Sequence, residues 1–541
     1  MPAMTSAQAV VQTLLNHGIE MIFGLPGLHN DPLFDAFHGA RDRLRVIHVR
    51  HEQAAGYMAL GAAMATGKPQ AFAVVPGPGL LNAGAALLTA TGVNAPVVAL
   101  VGQIPQADID RGHGHLHEIR DQIGLARHIV KFAERIEAPE QAPGIVSAAI
   151  RAALSDRPGP VMIECAIDVW GRLGPVAFDP ILPPLSPPVD GEAIKRASAI
   201  LDAAERPLIV VGGGAQHASA QVLALAEALE APVVSYRRGP GVIPGNHRLA
   251  VNLPIGHRLW RDADAVVGIG TRLHVQQSQW GTDDRLPIIR IDSAADEPGR
   301  FREPAVALIA DAAQAADALC RCLARSGRKR PSRRAEIDGH RQVVAAQMAR
   351  LQPQLDFIAA MRAALPEDGI LVDEVTQIGF VSRLAFPVLR PRSFLSPGYQ
   401  DNLGWGYGAA LGAKAACPER PVLAIAGDGG FLYQLGELAS AVQHKLAVVV
   451  VVFDNGQFGN VRRIQEEQYG GRIIASDLVN PDFVRLAEAF GVSAFRAETP
   501  KALGEAIGRA FALRAPALIH VPCGPMPSPW EMILMPRNRG V

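Results

Sequence analysis

Net charge is what this chain most plainly lacks. Its 52 Lys and Arg stand against 52 Asp and Glu, which removes any global electrostatic case for nucleic acid or a membrane surface as partner. Cysteine is sparse as well. Cys165, Cys320, Cys322, Cys417 and Cys523 are odd in number and carry no metal-ligand spacing, which points to a reducing compartment with the thiols as small core residues. No apolar run is long enough to span a bilayer and no charged-then-apolar leader opens the chain, so a cytoplasmic protein is expected. What is present is 49% apolar content over 541 residues, with much Gly and Ala. That is too long for one core and suits closely packed α/β layers in about two to four domains.

One stretch organises the rest. Val422-Leu423-Ala424-Ile425-Ala426 runs into Gly427-Asp428-Gly429-Gly430, a helix-like segment follows, and a second apolar run, Ala447 to Phe453, ends in Asp454-Asn455-Gly456-Gln457-Phe458-Gly459. Strand, glycine turn, helix, strand, polar turn is one βαβ unit, whose two polar loops leave the same carboxyl edge of a parallel sheet. Asp428 and Asn455 are therefore expected to converge on one hard, oxygen-liganded cation such as Mg²⁺. The glycines let backbone N–H groups and a helix N-terminus approach a diphosphate. A Gly-Asp-Gly alone is usually just a turn; paired with Asp-Asn one unit later it predicts metal-diphosphate binding.

The span from Gly427-Asp428-Gly429 to Asp454-Asn455 resembles the thiamin diphosphate motif of the superfamily that includes acetolactate synthase, benzoylformate decarboxylase and benzaldehyde lyase. The resemblance implies Mg²⁺ held by Asp428, Asn455 and the main-chain carbonyl of Gln457, with Gly427, Gly429, Gly430, Phe458 and Gly459 around the cofactor. Asp454 stands where the family usually has Asn, at a position not expected to bind metal.

The first third repeats the pattern. Glu20 to Phe23 opens into Gly24-Leu25-Pro26-Gly27-Leu28-His29-Asn30, a loop at a strand's carboxyl end where ligands sit in open sheets. His29 is a candidate proton shuttle or, by residue type alone, a surface loop histidine. Phe-Gly-Leu-Pro-Gly looks like the family's N-terminal loop, and benzaldehyde lyase carries a catalytic His at the position of His29. Arg50-His51-Glu52 leads into an Ala-rich helix. Glu52 is either an acid favourable at a helix N-terminus or, by its match to the family, the glutamate that hydrogen-bonds the cofactor's N1′. That role lets the 4′-amino group take the proton from thiazolium C2, and it suits a buried carboxyl that keeps its proton. Ala71 to Val75 then meets Pro76-Gly77-Pro78-Gly79, with Pro78 where Asp428 stands in the later copy. Two related domains with divided labour follow, one for the pyrimidine and one for the diphosphate.

Arg111-Gly112-His113-Gly114-His115-Leu116-His117-Glu118 invites a metal reading, set aside because no carboxylate or cysteine completes a ligand set. Alignment on Asp121-Gln122 puts His117 where relatives in the family carry an active-site Gln, so a substrate-facing loop is expected. From Phe178 to Pro188, Pro180, Pro183, Pro184, Pro187 and Pro188 make an extended linker. Beyond it, Gly212-Gly213-Gly214 and Gly268-Ile269-Gly270-Thr271-Arg272 follow apolar runs in a Rossmann-like sheet. These glycines resemble a flavin-binding central domain. The family's other flavin segments are missing, so FAD is possible in principle but disfavoured. The basic cluster from Arg325 to Arg334 reads as a second, solvated linker. Further on, Thr376 and Gln377 lie at another strand end, and Leu403 aligns with the apolar wedge that bends the cofactor in the family. Asn460 and Val461 should line the substrate pocket.

The expected architecture is α/β: three doubly wound parallel-sheet domains, at 1–178 (pyrimidine), 190–325 (central, Rossmann-like) and 345–541 (diphosphate and Mg²⁺). The resemblance implies catalytic Glu52, His29 and His117. It implies cofactor contacts from Glu52, Gly77, Asn82, Thr376, Gln377 and Leu403 as well as the glycine turns. It also implies a homo-oligomer, a dimer of dimers, with active sites shared between subunits. The expected function is a lyase or carboligase acting on 2-oxo acids, 2-hydroxy ketones or aldehydes, acetolactate synthase-like. A plain 2-oxo acid decarboxylase is the alternative, and a cofactor-binding protein without turnover is the alternative of another class.

Overall fold

The computed structural model describes residues 2–540. Its frame is three six-stranded sheets, parallel throughout. Parallel strands joined through helices are covered on both faces and so read as unbroken apolar runs. Val448–Asp454, Val-Val-Val-Val-Val-Phe-Asp, is buried until its last residue.

Strand order confirms the internal repeat. The first sheet runs Arg45–His48, Met21–Gly24, Gln70–Val74, Val97–Gln103, Val161–Ala166, Phe132–Ile136. The last runs Phe394–Leu395, Ile370–Val372, Val422–Gly427, Val448–Asp454, Ala517–Pro522, Ser493–Arg496. Numbered within each sheet by chain position, both read 2-1-3-4-6-5. The middle sheet, built from strands between Pro207 and Ile309, reads 3-2-1-4-5-6, the dinucleotide-fold order. The expected fold class is borne out.

The Ala and Gly content has a packing reason. Helix Glu52–Thr66 crosses helix Gly406–Ala416 so closely that a Cβ on Gly61 would fall on the carbonyl of Ala409, and one on Gly412 on that of Met58. These helices fuse the first and last sheets into one apolar core that includes Tyr57, Met58, Trp405 and Tyr407. From Ala177 to Asp190 the proline-rich segment is neither helix nor strand, and Asp190 then caps helix Gly191–Ala203 through the N–H groups of Glu192 and Ala193.

Two expectations need correction. The helical segment after Gly430 is broken, with Asp428–Phe431 and Glu437–Gln443 as separate short helices. The basic segment before residue 334 is not a freely solvated linker. Arg333 is 9% exposed and donates to the carbonyl of Pro207 at 2.7 Å, and Arg330 donates to the carbonyls of Leu201 and Ala204. Arg330 closes otherwise open carbonyls at the end of helix Gly191–Ala203, where cations are favoured, while Arg333 ties to the first residue of strand Pro207–Val211.

Candidate active site

In sheets of order 2-1-3-4-6-5 the chain reverses direction of travel between the first and third strands, and the crevice beyond their carboxyl ends is the natural ligand position. In the first sheet the loops there carry His29 (after Met21–Gly24) and Gly77 (after Gln70–Val74). In the last sheet they carry Glu374 to Gln377 (after Ile370–Val372) and Asp428 (after Val422–Gly427). Residues far apart in sequence thus occupy equivalent places in two copies of one fold.

On the first sheet, His29 lies in a short 3₁₀ turn, Leu28–Asn30, and is only 3% exposed, so it is not a surface loop histidine. Asn30 fastens the turn by donating to the carbonyl of Val74 at 2.7 Å. The ring of His29 faces that of His117 at a centroid distance of 5.2 Å. Burial, and then the neighbouring His117, hold the His29 imidazole below its ordinary range, so it is neutral near pH 7. The Nδ1 atoms of both rings are buried without a partner. Gly77 has φ +56°, and a Cβ there would meet the carbonyl of His117 at 2.5 Å, which makes glycine the residue that lets the His117 loop close on the turn. Its N–H donates to Gln122 at 3.0 Å.

Gln122 was only an alignment landmark in the sequence. It is fully buried, and its amide donates to Glu164 at 2.7 Å and to the carbonyl of Gly102 at 3.1 Å. Glu164 in turn pairs with Arg135. This network anchors the Gly77 turn, but Gln122 and Glu164, separated by strand Phe132–Ile136 and helix Ala142–Leu154, leave no local pattern to find.

Glu52 is the first residue of helix Glu52–Thr66, and its carboxylate accepts from the Asn82 amide at 3.0 Å. The structure thereby joins two residues expected at the cofactor. Within a single chain, however, Glu52 is partly exposed rather than buried as anticipated, although Glu437 of the same chain accepts from the N–H groups of Arg50 and His51 just before the helix start.

On the last sheet, Asp428 is 3% exposed. The Asn480 amide donates to Asp428 at 2.7 Å and to Asp454 at 2.8 Å, so one nitrogen links both carboxylates. Asp454 also meets His520 Nε2 at 3.0 Å. Burial works against ionisation of Asp454, but His520, Asn480 and the Gly456 N–H hold it below the usual carboxylate range. That pairing explains how an acid occupies the family's Asn position: His520, on the adjacent strand, matches it. Gln457 pairs with Asp477 through bonds made by its neighbours, Leu478 N–H to the Gly456 carbonyl (2.7 Å) and Phe458 N–H to the Ser476 carbonyl (2.8 Å). The carbonyl of Gln457 itself takes no part in that bridge. Phe458 packs against Gly429, where its ring would collide with any Cβ.

Thr376 caps helix Gln377–Ala385 by accepting from Gly379 N–H at 2.8 Å, and its methyl lies over Gly427. The Gln377 amide reaches Gly459 beside that of Asn455. Leu403 precedes Gly404 (φ +75°), whose N–H donates to Glu374. Glu374 is fully buried; burial, opposed by the Gly404 N–H, raises its carboxyl to about 8. A run of Asp373-Glu374 at a strand end gave no hint of this, since acidic pairs at strand ends are mostly solvated. Asn460 accepts from Arg463 at 3.2 Å within its own helix, and Val461 is 51% exposed.

The histidine-rich loop also departs from expectation. Asp108 does supply the carboxylate thought to be missing, 3.3 Å from His113 Nδ1 and 3.3 Å from His115 Nε2.

Comparison with known proteins agrees with this geometry. Residues 4–125 match the family model described as Thiamine pyrophosphate enzyme, N-terminal TPP binding domain; residues 194–319 match its central domain, and residues 374–521 its C-terminal TPP binding domain. The chain belongs to the thiamine pyrophosphate enzyme family, as the resemblance implied. Among relatives, it is 34% identical to the protein named "Probable 2-ketoarginine decarboxylase AruI" of Pseudomonas aeruginosa, over 90% of this chain and 88% of that one. It is 32% identical to the "Probable acetolactate synthase large subunit" of Methanocaldococcus jannaschii (96% and 92% covered). It is 30% identical to the acetolactate synthase isozyme 3 large subunit of Escherichia coli (94% and 93%).

The residues fit the cofactor this family takes. Unpartnered buried oxygens of Glu374, Gln377 and Asn480 cluster with the acids Asp428 and Asp454 near a turn whose glycines admit no side chain. An all-oxygen donor set of this kind suits a hard cation and a diphosphate.

Proposed function

We propose that this chain is a thiamin diphosphate- and Mg²⁺-dependent lyase or carboligase that breaks or forms the C–C bond beside a carbonyl in 2-oxo acids or 2-hydroxy ketones. The observation carrying this reading is the stacking of half-buried His117 on buried His29 at the first sheet's crevice, because such chemistry needs a base and its conjugate acid at the substrate oxygen. Bound thiamin diphosphate supplies an electron sink for the pair released when the bond breaks. Glu52, oriented by Asn82, holds a proton at the pyrimidine end. Asp428, Asn455 and the Gln457 carbonyl hold Mg²⁺, while Gly429 and Gly430 admit the diphosphate. Thr376, Gln377 and Gly459 would close around it, and Leu403 would pack against the bound thiamin as the family's apolar wedge. Neutral His29 accepts a proton from the substrate hydroxyl, and His117 returns one. Asn460 and Val461 border the substrate.

The same reading includes a homo-oligomer, a dimer of dimers, in which a second subunit covers Glu52. Leu81 and Leu88, 56% and 43% exposed on the helix that carries Asn82, are apolar surface available for it. It retains the domain bounds 1–178, 190–325 and 345–541 and a cytoplasmic location, in keeping with five free cysteines. Among the described residues no helix is long and apolar enough to cross a membrane. It does without FAD, on the ground that the sequence lacks the family's other flavin segments.

A second reading, decarboxylation of a 2-oxo acid alone, draws on the similarity to the protein named as a 2-ketoarginine decarboxylase. Holoenzyme mixed with pyruvate, with benzoylformate or with benzoin, while CO₂ and aldehyde are followed, separates the two. Carboligation or lysis yields a coupled ketone from the acids or aldehyde from benzoin. Decarboxylation alone yields CO₂ and aldehyde from the acids and leaves benzoin untouched. If a wider panel including 2-oxo acids with a guanidinium tail is likewise untouched while the cofactor binds, both readings fall.

A further inference from the structure

We propose that Asp108, His113 and His115 form a binding site for a borderline divalent transition ion, with Zn²⁺ as the reference probe, on the same loop that brings His117 to His29. The three side chains each offer one ligand atom, and these lie within 4.8 Å of one another. The Asp108 carboxylate turns one oxygen to each ring, Oδ1 to His113 Nδ1 and Oδ2 to His115 Nε2, both at 3.3 Å. Tetrahedral Zn²⁺ with ligand bonds near 2.0–2.1 Å places its donor atoms about 3.3–3.4 Å apart. Each 3.3 Å spacing matches such an edge, but the two run from different oxygens of one carboxylate, so binding requires the side chains, whose ligand atoms lie within 4.8 Å of one another, to draw together around the ion. Two imidazoles and one carboxylate are a donor set that zinc prefers over Mg²⁺, and they leave a fourth position for water or another ligand.

The loop is also built to hold this arrangement. Glu118 accepts from the N–H groups of Gly112 (2.9 Å), Gly114 (2.6 Å) and His115 (2.8 Å). Gly112 and Gly114 take φ +69° and +78°, conformations natural to glycine, and so curl the backbone around that carboxylate. The His-Gly-His alternation then presents both rings to Asp108, which ends the 3₁₀ turn Gln106–Asp108 on the far side. His115 stands two residues before His117, so an ion fixed there would fix the segment entering the crevice.

The test is equilibrium dialysis of the full chain, loaded with thiamin diphosphate and excess Mg²⁺, against Zn²⁺ with metal analysis. The wild type is expected to bind one more Zn²⁺ per chain than His113→Gln/His115→Gln. His38→Gln, an exposed histidine elsewhere, should bind like the wild type. Glu118→Gln, which leaves all three ligands in place, is expected to weaken Zn²⁺ binding by about tenfold, the usual cost of losing an outer partner. Circular dichroism and cofactor binding confirm that each variant is folded. Equal Zn²⁺ stoichiometry and affinity in the wild type and the folded double mutant would overturn the proposal, and the histidines would then pair with Asp108 only as surface ions.

Discussion

At the scale of single residues, the proposed site holds acids kept in unusual states by burial and by their neighbours. Glu374 is the sharpest case, buried, with one oxygen on the Gly404 N–H and the other unpartnered. A carboxyl raised from 4.5 to about 8 keeps its proton in the folded chain over a range where the unfolded chain has lost it. Below 4.5 both states are protonated and the stabilisation is fully present; it declines as pH rises and is gone above about 8. Glu374→Gln, which mimics the protonated acid, should therefore gain stability relative to wild type by up to about 1.4 kcal/mol per pH unit across that window. Urea unfolding at several pH values checks this, and parallel pH curves for both proteins would refute it. Glu52, Asp428 and Asn455 could be proposed from the sequence because each sits in a short local motif. Glu374, Gln122 and Asn480 could not, since their hydrogen-bond partners come from distant segments of the chain.

At the scale of elements, the sequence was most informative where periodicity and turn chemistry are local. The apolar runs that become parallel strands, the glycine turns after them, and the repeat between Gly77 and Gly427 were all legible, since a strand buried on both faces has to be continuously apolar. The broken helix after Gly430 and the anchoring of Arg330 and Arg333 were not, because tertiary hydrogen bonds decide them. The Gly77 turn is the element on which the histidine pair depends. Gly77→Ala would place a Cβ against the His117 carbonyl at a φ that L residues rarely adopt, at a cost of roughly 1–3 kcal/mol of local strain. The expected result is a protein that still folds, with thermal unfolding only modestly lowered, but with turnover reduced by about tenfold or more as the His29–His117 geometry opens. A variant with wild-type kinetics would show that the close approach of loop and turn is not needed.

At the scale of the whole molecule, two sheets of identical strand order each carry part of the proposed site, and Glu52 is partly exposed in a single chain. On the proposed reading, association is part of the function. Leu81→Lys/Leu88→Lys places two charges on the exposed apolar face beside Asn82 and should shift sedimentation toward monomer and lower activity together. An active monomer would contradict the shared site. Underneath all of this is the claim that Glu52 activates a bound cofactor, and it is tested most directly by the rate at which enzyme-bound thiamin diphosphate exchanges its C2 proton in D₂O, read by acid-quenched proton NMR. The wild type with Mg²⁺ should exchange far faster than free cofactor, while Glu52→Gln, folded and still binding the diphosphate, should lose at least about a hundredfold of that rate. Equal exchange in the two proteins, or a wild type no faster than free thiamin diphosphate, would contradict the claim.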